Sequence, residues 1–175
     1  MADERYPIGG FEKKAIYSKE DIKEYTEQID RLPGQLMDMV KDFSSQQLDT
    51  PYRDDGWTVR QLIHHVADSH LHAYIRMKWA LTEANPIIKA YDEKLWAQTD
   101  DNKADPNLSL LLLKSIHAKW VALIKTLQTE SLEKIFTHPQ TKKEVRLDTL
   151  IALYAWHGRH HLAHIHALKE RKGWS

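Results

Sequence analysis

The chain has no cysteine among its 175 residues. Disulfide bonds, thiolate nucleophiles and cysteine-ligated zinc are therefore excluded. It also lacks an excess of either charge, because 25 basic residues balance 25 acidic ones. Without such an excess, no bulk electrostatic attraction to nucleic acid or to an anionic membrane is expected.

Long apolar runs are also missing from the sequence. None approaches the roughly 20 residues that a membrane-spanning helix needs. No apolar segment follows the charged N-terminus in the way that a signal peptide requires. We therefore expect a cytoplasmic protein, with one domain over residues 1–175 that is large enough for a substantial core.

Apolar residues recur at helical spacing in four long stretches, which predict an all-α protein. The first stretch follows an N-cap at Ser18 and is interrupted at Pro33-Gly34, where we expect a kink or a short break. The second follows a capping box formed by Thr58 and Gln61. Both helices should bury one apolar stripe in a shared core.

The third stretch begins near Asp105-Pro106 after an irregular segment over residues 84–107. Residues 137–142 predict a loop or hairpin, and Asp148 is expected to cap the last helix, which ends before Gly173. Four long helices without an internal repeat predict a four-helix bundle. Because the link between the second and third helices is long, the order need not be simple up-down-up-down.

Histidine is abundant, and His157 and His161 are the best-aimed pair. They are four residues apart, so on a helix they lie on one face. With 3.6 residues per turn, both fall within about 20 degrees of the centre of the apolar stripe. Two buried imidazoles need separate partners, and a divalent metal satisfies both. His160 and His164 have the same spacing but are aimed less well, so they are the weaker alternative.

The second helix offers a third ligand in His64 or His65, which lie on opposite flanks of its stripe. Periodicity favours His65 slightly. Three neutral imidazoles plus water would form an open coordination sphere of the catalytic type. Asp68 could orient a ligand, although an exposed helix carboxylate is an equal alternative. His117 on the third helix is interpreted as a packed core histidine, with ligation or an outer hydrogen bond as alternatives.

Several motifs, in order, resemble the YfiT group of the DinB superfamily. They are YPIG at 6–9, LDTPYRDDGWTVRQ at 48–61, HHVADSH at 64–70, YDEK at 91–94, ADP at 104–106 and YAWH at 154–157 with the following His161. The resemblance spans nearly the whole chain. It implies a four-helix bundle that holds a metal with one histidine of the second helix and two of the last. By motif these ligands are His65, His157 and His161, which selects His65 over His64.

The resemblance also implies a metal-dependent hydrolase with one divalent metal per chain, zinc in first place and nickel as the alternative. It implies a homodimer as well. In such a hydrolase, activated water attacks a carbonyl of a small-molecule substrate, and Asp68 or His164 is the candidate base.

Relatives within the superfamily are thiol S-transferases that use bacillithiol or mycothiol, or thiol-dependent isomerases. Thiol transfer is therefore the alternative function, and it suits a chain that has no cysteine of its own. A third interpretation is a metal-carrying binding or stress-response protein without catalysis.

Overall fold

The computed structural model describes residues 4–174; residues 1–3 and Ser175, which the predicted domain includes, lie outside this range. Its long helices are α1 (Lys19–Val40), α3 (Val59–Thr82), α5 (Asn107–Ile124) and α7 (Leu147–Lys172). The connections contain α2 (Ser45–Leu48), α4 (Glu93–Trp96), a 3-10 turn (Asp100–Lys103), α6 (Thr129–Leu132) and a hairpin of β1 (Ile135–Thr137) and β2 (Glu144–Arg146). The predicted all-α four-helix bundle is confirmed.

Side-chain caps fix the starts of α1 and α3 as the sequence predicts. The Ser18 hydroxyl accepts a hydrogen bond from the Asp21 N–H at 3.0 Å, and the Asp21 carboxylate accepts one from the Ser18 N–H at 2.9 Å. Thr58 and Gln61 form the same reciprocal pair at the start of α3. These bonds satisfy N–H groups that have no partner within the helix, so they define where each helix begins.

The start of α7 differs from the prediction that Asp148 caps it. Arg146 occupies the N-cap position, and Asp148 lies in the first helical turn. The Asp148 carboxylate accepts a hydrogen bond from the Thr149 N–H at 2.5 Å and pairs with the Arg146 guanidinium at 2.7 Å. Its negative charge therefore stabilises the positive end of the helix from within the first turn.

Helix α1 continues through Pro33, so the short break, one of the two alternatives predicted at Pro33-Gly34, is wrong. A proline has no N–H for the carbonyl four residues earlier, which here belongs to Ile29. That carbonyl is satisfied from another helix, because the His117 Nδ1–H on α5 donates to it at 2.5 Å. The hydrogen bond that Pro33 cannot make is thus replaced, and packing against α5 and α7 supports the helix.

The long helices do not follow an up-down-up-down order. Helix α1 packs against α5 and α7, and α3 packs against the same two helices. One apolar cluster combines the earlier parts of α1 and α7 with the later parts of α3 and α5, and a second cluster combines the remaining parts. Helices α1 and α7 therefore run in one direction, and α3 and α5 run in the opposite one. Because α3 and α5 are parallel, the chain over residues 83–106 must return along the length of the bundle.

A layer of histidines separates the two apolar clusters. Helix α3 contributes His70, α5 contributes His117, and α7 contributes His157 and His161. His70 and His117 are 0% and 1% exposed. Buried imidazoles need hydrogen-bond partners, so this layer is where the bundle departs from an apolar core.

Helix α5 is long and apolar enough, by length and composition alone, to cross a membrane, so the prediction that no stretch approaches this length is wrong. In the bundle it packs against α1 and α3 and buries His117 and Trp120. Its outer face exposes Leu108, Leu111 and Leu112. An exposed apolar face of this kind is typical of a surface that contacts another protein.

Candidate metal centre

His65 on α3 meets His157 and His161 on α7 at the interface of the two helices. The Nε2 atom of His157 lies 3.4 Å from Nε2 of His65 and 3.1 Å from Nε2 of His161. The ligand atoms of all three residues lie within 4.8 Å of one another. The structure therefore brings together the three histidines that the sequence motifs indicate.

His64, the neighbour of His65, is directed away from this group. Its Nδ1 lies 2.7 Å from the Ser109 hydroxyl, and its Nε2 lies 3.4 Å from the Ala104 carbonyl oxygen. Adjacent residues of a helix point about 100 degrees apart, so His64 and His65 cannot both face α7. The α3 histidine in the group is His65.

Burial keeps the three imidazoles in their neutral, metal-ligating form at neutral pH. It lowers the pKa of His65 to about 4. Burial also lowers the pKa of His157 and that of His161 well below the usual 6.5, and the neighbouring histidines add to this effect. Since protonated imidazole cannot bind a metal, the depressed pKa values favour ligation at neutral pH.

The donor set and its spacing fit a divalent metal. Tetrahedral zinc with Zn–N bonds of about 2.0–2.1 Å places ligand nitrogens about 3.3 Å apart. The distances of 3.4 and 3.1 Å from His157 Nε2 to the other two Nε2 atoms are close to this value. A neutral imidazole has a single lone pair on nitrogen, so His157 Nε2 cannot accept hydrogen bonds from both neighbours. One cation satisfies all three lone pairs.

The three histidines line a cavity of about 620 Å³. Its wall includes the aromatic residues Tyr6, Tyr52, Trp57 and Trp156, the cations Arg5, Arg53 and Lys94, and the acids Asp55 and Glu93. The N-terminal arm forms part of this wall, where the Trp156 indole N–H donates to the Gly9 carbonyl at 3.2 Å. A metal site beside such a space is typical of catalysis, whereas structural sites are usually closed.

The alternative pair, His160 and His164, lies on the same cavity wall. Their Nε2 atoms are 3.1 Å apart. Within residues 4–174, the group of three side chains that could hold a metal ion is formed by the other pair with His65. The His160 and His164 rings instead lie beside Tyr6 and Tyr52. This pair can exchange a proton or bind a polar group, but it has no third ligand among the described residues.

The two candidate bases each meet one of the two requirements for proton transfer, which are position and pKa. His164 lines the cavity, but burial and the charge of His160 lower its pKa to about 3. Asp68 has a pKa raised to about 6, by burial first and then by Asp101. Its side chain is not part of the described cavity wall. Geometry therefore favours His164 over Asp68.

Comparison with known proteins agrees with the fold. The model of the DinB superfamily matches residues 28–165. The chain belongs to the DinB superfamily. Curated relatives from Bacillus cereus and Bacillus anthracis are 51% identical over 174 residues, which cover 99% of this chain and 100% of each relative. Both are named "Putative metal-dependent hydrolase".

A solved structure is similar to this DinB superfamily chain over almost its whole length. It is YfiT from Bacillus subtilis, described as a probable metal-dependent hydrolase with an unusual four-helix bundle topology. The two chains share 46% sequence identity and superpose with a TM-score of 0.96, covering 98% of this chain and 99% of YfiT. The parallel arrangement of α3 and α5 is thus part of a topology that a relative also has.

One feature of this DinB superfamily chain was missed from the sequence, namely a row of histidines behind His157. His157 Nδ1 lies 3.2 Å from His70 Nε2, and His70 Nδ1 lies 2.9 Å from His117 Nε2. The interpretation of His117 as a packed core residue is therefore incomplete. Two features of the sequence could have indicated this row. His70 shares the inner apolar stripe of α3, and Pro33 leaves the Ile29 carbonyl, four residues earlier, without a helical N–H donor.

Proposed function

We propose that this protein is a metal-dependent hydrolase in which His65, His157 and His161 hold one divalent metal. The observation that carries the proposal is the convergence of their three ligand atoms beside an accessible cavity. The names of the Bacillus relatives support it. A divalent metal held there would polarise a carbonyl and lower the pKa of water towards neutrality.

The protein's contribution is a ligand set without negative charge. Three neutral imidazoles leave a bound cation its full charge, which a carboxylate ligand would reduce. Imidazole ligands suit both zinc and nickel, and we propose zinc, with nickel as the alternative. The cavity wall carries cations and acids together with aromatic rings, so a small polar substrate with an apolar part fits it.

We assign the proton-transfer step to His164. Its imidazole lines the cavity and lies 3.1 Å from Nε2 of His160. A neutral His164 can accept a proton from attacking water. Burial disfavours the imidazolium, so the proton is readily passed on to a leaving group.

Hydrolysis of a panel of ester and amide substrates by the zinc- and nickel-loaded protein tests this function. We expect hydrolysis that disappears with a chelator and in His157→Ala. His164→Gln should lower kcat while zinc still binds, whereas Asp68→Asn should have little effect on kcat. Hydrolysis that continues at the full rate in chelated protein would contradict the proposal.

Thiol transfer is the alternative function, favoured by the absence of cysteine and by the size of the cavity. Thiolate is a good zinc ligand, so an external thiol such as bacillithiol would be activated at the same site. Rising bacillithiol concentration separates the two functions. A hydrolase is inhibited when the thiol occupies its metal, whereas a transferase conjugates the thiol to an electrophile faster than the metal-free protein does.

We also propose that the protein is a cytoplasmic homodimer. The exposed leucines of α5 support a contact between two copies, because they form one apolar face of that helix. Light scattering should give the mass of a dimer, and Leu111→Lys should give a monomer that keeps its helical content. A monomeric wild-type protein at micromolar concentration would contradict the homodimer.

A further inference from the structure

A single row of hydrogen bonds crosses all four long helices and ends at the candidate metal centre. It runs from the Ile29 carbonyl on α1 to His117 on α5, then to His70 on α3 and to His157 on α7. The three links measure 2.5, 2.9 and 3.2 Å. The row lies in the layer that separates the two apolar clusters.

The direction of each bond follows from the end at Ile29. A carbonyl oxygen can only accept, so His117 must carry its hydrogen on Nδ1. His70 and His117 are 0% and 1% exposed, and such burial disfavours a charged ring. Neutral His117 therefore has a bare Nε2, which accepts a hydrogen bond from His70 Nδ1–H.

The same assignment of donor and acceptor nitrogens applies to the hydrogen bond between His70 and His157. Neutral His70 with hydrogen on Nδ1 has a bare Nε2, so this atom accepts from His157 Nδ1–H. His157 is then left with a bare Nε2, which is the atom that faces His65 and His161. The hydrogen-bond partner of one ring nitrogen decides the state of the other.

Pro33 keeps the start of the row available. In a regular helix the N–H of residue 33 would donate to the Ile29 carbonyl, but proline has no N–H. The carbonyl is buried, so it would cost free energy without a partner, and His117 supplies that partner. A helix-breaking residue inside α1 is thus matched to a histidine on α5.

We propose that His70 and His117 are positioning residues that hold the ligand His157 in its Nδ1–H tautomer, with Pro33 and the Ile29 carbonyl as the fixed end of the row. This inference rests on the proposed metal-binding function. Partners of this kind usually are carboxylates or carbonyls. The histidine row differs from a carboxylate because it orients the ligand without adding negative charge near the metal.

His161 differs from His157 in the hydrogen bonding of its Nδ1 atom. Its Nδ1 is buried and has no hydrogen-bond partner among residues 4–174. The tautomer of His161 is therefore not fixed in this way, and His157 is the ligand that the fold prepares in advance. The row should accordingly act on metal affinity chiefly through His157.

Long-range proton–nitrogen NMR of histidines in the metal-free wild-type protein tests the tautomers directly. We expect His70, His117 and His157 each to carry hydrogen on Nδ1 and none on Nε2. In His117→Phe, His70 loses its fixed acceptor, so His157 should show a mixture of both tautomers. A purely structural role for His117 would leave the His157 signals unchanged. Hydrogen on Nε2 of His157 in the wild type would overturn the inference.

Zinc affinity gives the second measurement. His70→Phe should weaken zinc binding by about 10–100-fold, the usual loss when a ligand's hydrogen-bond partner is removed. His72→Phe is the matched control, since His72 is on the same helix but packs against Tyr91 outside the row. Unchanged affinity in folded His70→Phe would overturn the inference. Wild-type protein that has the expected tautomers but binds no zinc would instead overturn the proposed function.

Discussion

Helix α7 carries two histidine pairs with identical spacing, and their surroundings separate them. His157 and His161 face α3 and meet His65, whereas His160 and His164 face the N-terminal arm and Tyr52. In both pairs the Nε2 atoms are 3.1 Å apart. Four-residue spacing thus places two imidazoles side by side, but a neighbouring helix decides whether a third imidazole joins them.

The pairs also differ in what lies behind them. His157 is backed by a row of hydrogen bonds that reaches α1. The His164 ring instead lies 4.3 Å from the ring of Tyr52, measured between centroids. A ligand held from behind loses little freedom on binding a metal, whereas a residue packed on one side by an aromatic ring can still contact substrate.

The largest effect should come from removing a ligand of the first pair. His157→Ala should abolish zinc binding, because two remaining imidazoles cannot hold the ion tightly. His160→Ala, its counterpart in the second pair, should keep stoichiometric zinc. Isothermal titration of zinc into both chelated variants measures this. Loss of zinc in His160→Ala with retention in His157→Ala would show that the second pair is the metal site.

The third ligand gives the next test of the comparison. His65→Ala should bind zinc far more weakly than wild type, whereas His64→Ala should largely keep its affinity because His64 is bonded to Ser109 and Ala104. The same titration, with circular dichroism to check folding, distinguishes the two. Equal losses in both variants would contradict the assignment of His65.

Acid should destabilise the chelated protein through His65, which meets the first pair, and through His164 of the second pair. The folded-state pKa values of His65 and His164 are lowered to about 4 and about 3, chiefly by burial. Between these values and the unfolded value near 6.5, the unfolded chain binds more protons. The free energy of unfolding should therefore be fully kept above pH 6.5 and decrease as pH falls towards 4. Urea unfolding at a series of pH values measures it, and a flat profile would contradict the burial of these rings.

The smallest effect is expected at Asp68, outside the cavity wall. Its folded-state pKa is raised to about 6, so the folded state binds more protons than the unfolded state between pH 3.8 and 6. The charged carboxylate thus lowers stability at pH 7. Asp68→Asn should raise the melting temperature slightly at pH 7, should not do so at pH 3.5, and should leave zinc affinity unchanged. A loss of zinc affinity would restore Asp68 as a residue that orients a ligand.

The periodicity of apolar residues predicts the features that depend on a single helix. It predicted the four long helices and the shared face of His157 and His161, which meets His65 of α3. Capping residues predicted the starts at Ser18 and Thr58. The choice of His65 needed the family motif, because His64 and His65 flank the stripe almost equally. Local pattern has no information on which helix will lie opposite, so it could not resolve that choice.

Features that depend on contacts between helices were missed. The break predicted at Pro33 fails because a histidine 84 residues later replaces the lost hydrogen bond. The row from His117 to His157 was missed for the same reason, since its members come from three helices. The parallel direction of α3 and α5 likewise depends on how the whole bundle assembles, which local propensity does not determine.

The most direct test of the central claim is X-ray absorption of the zinc-reconstituted wild-type protein, combined with its metal content. The three-histidine site predicts one zinc per chain with three imidazole nitrogens at about 2.0–2.1 Å. A protein that takes up no stoichiometric zinc after reconstitution, or whose zinc has fewer than three imidazole ligands, would contradict the account.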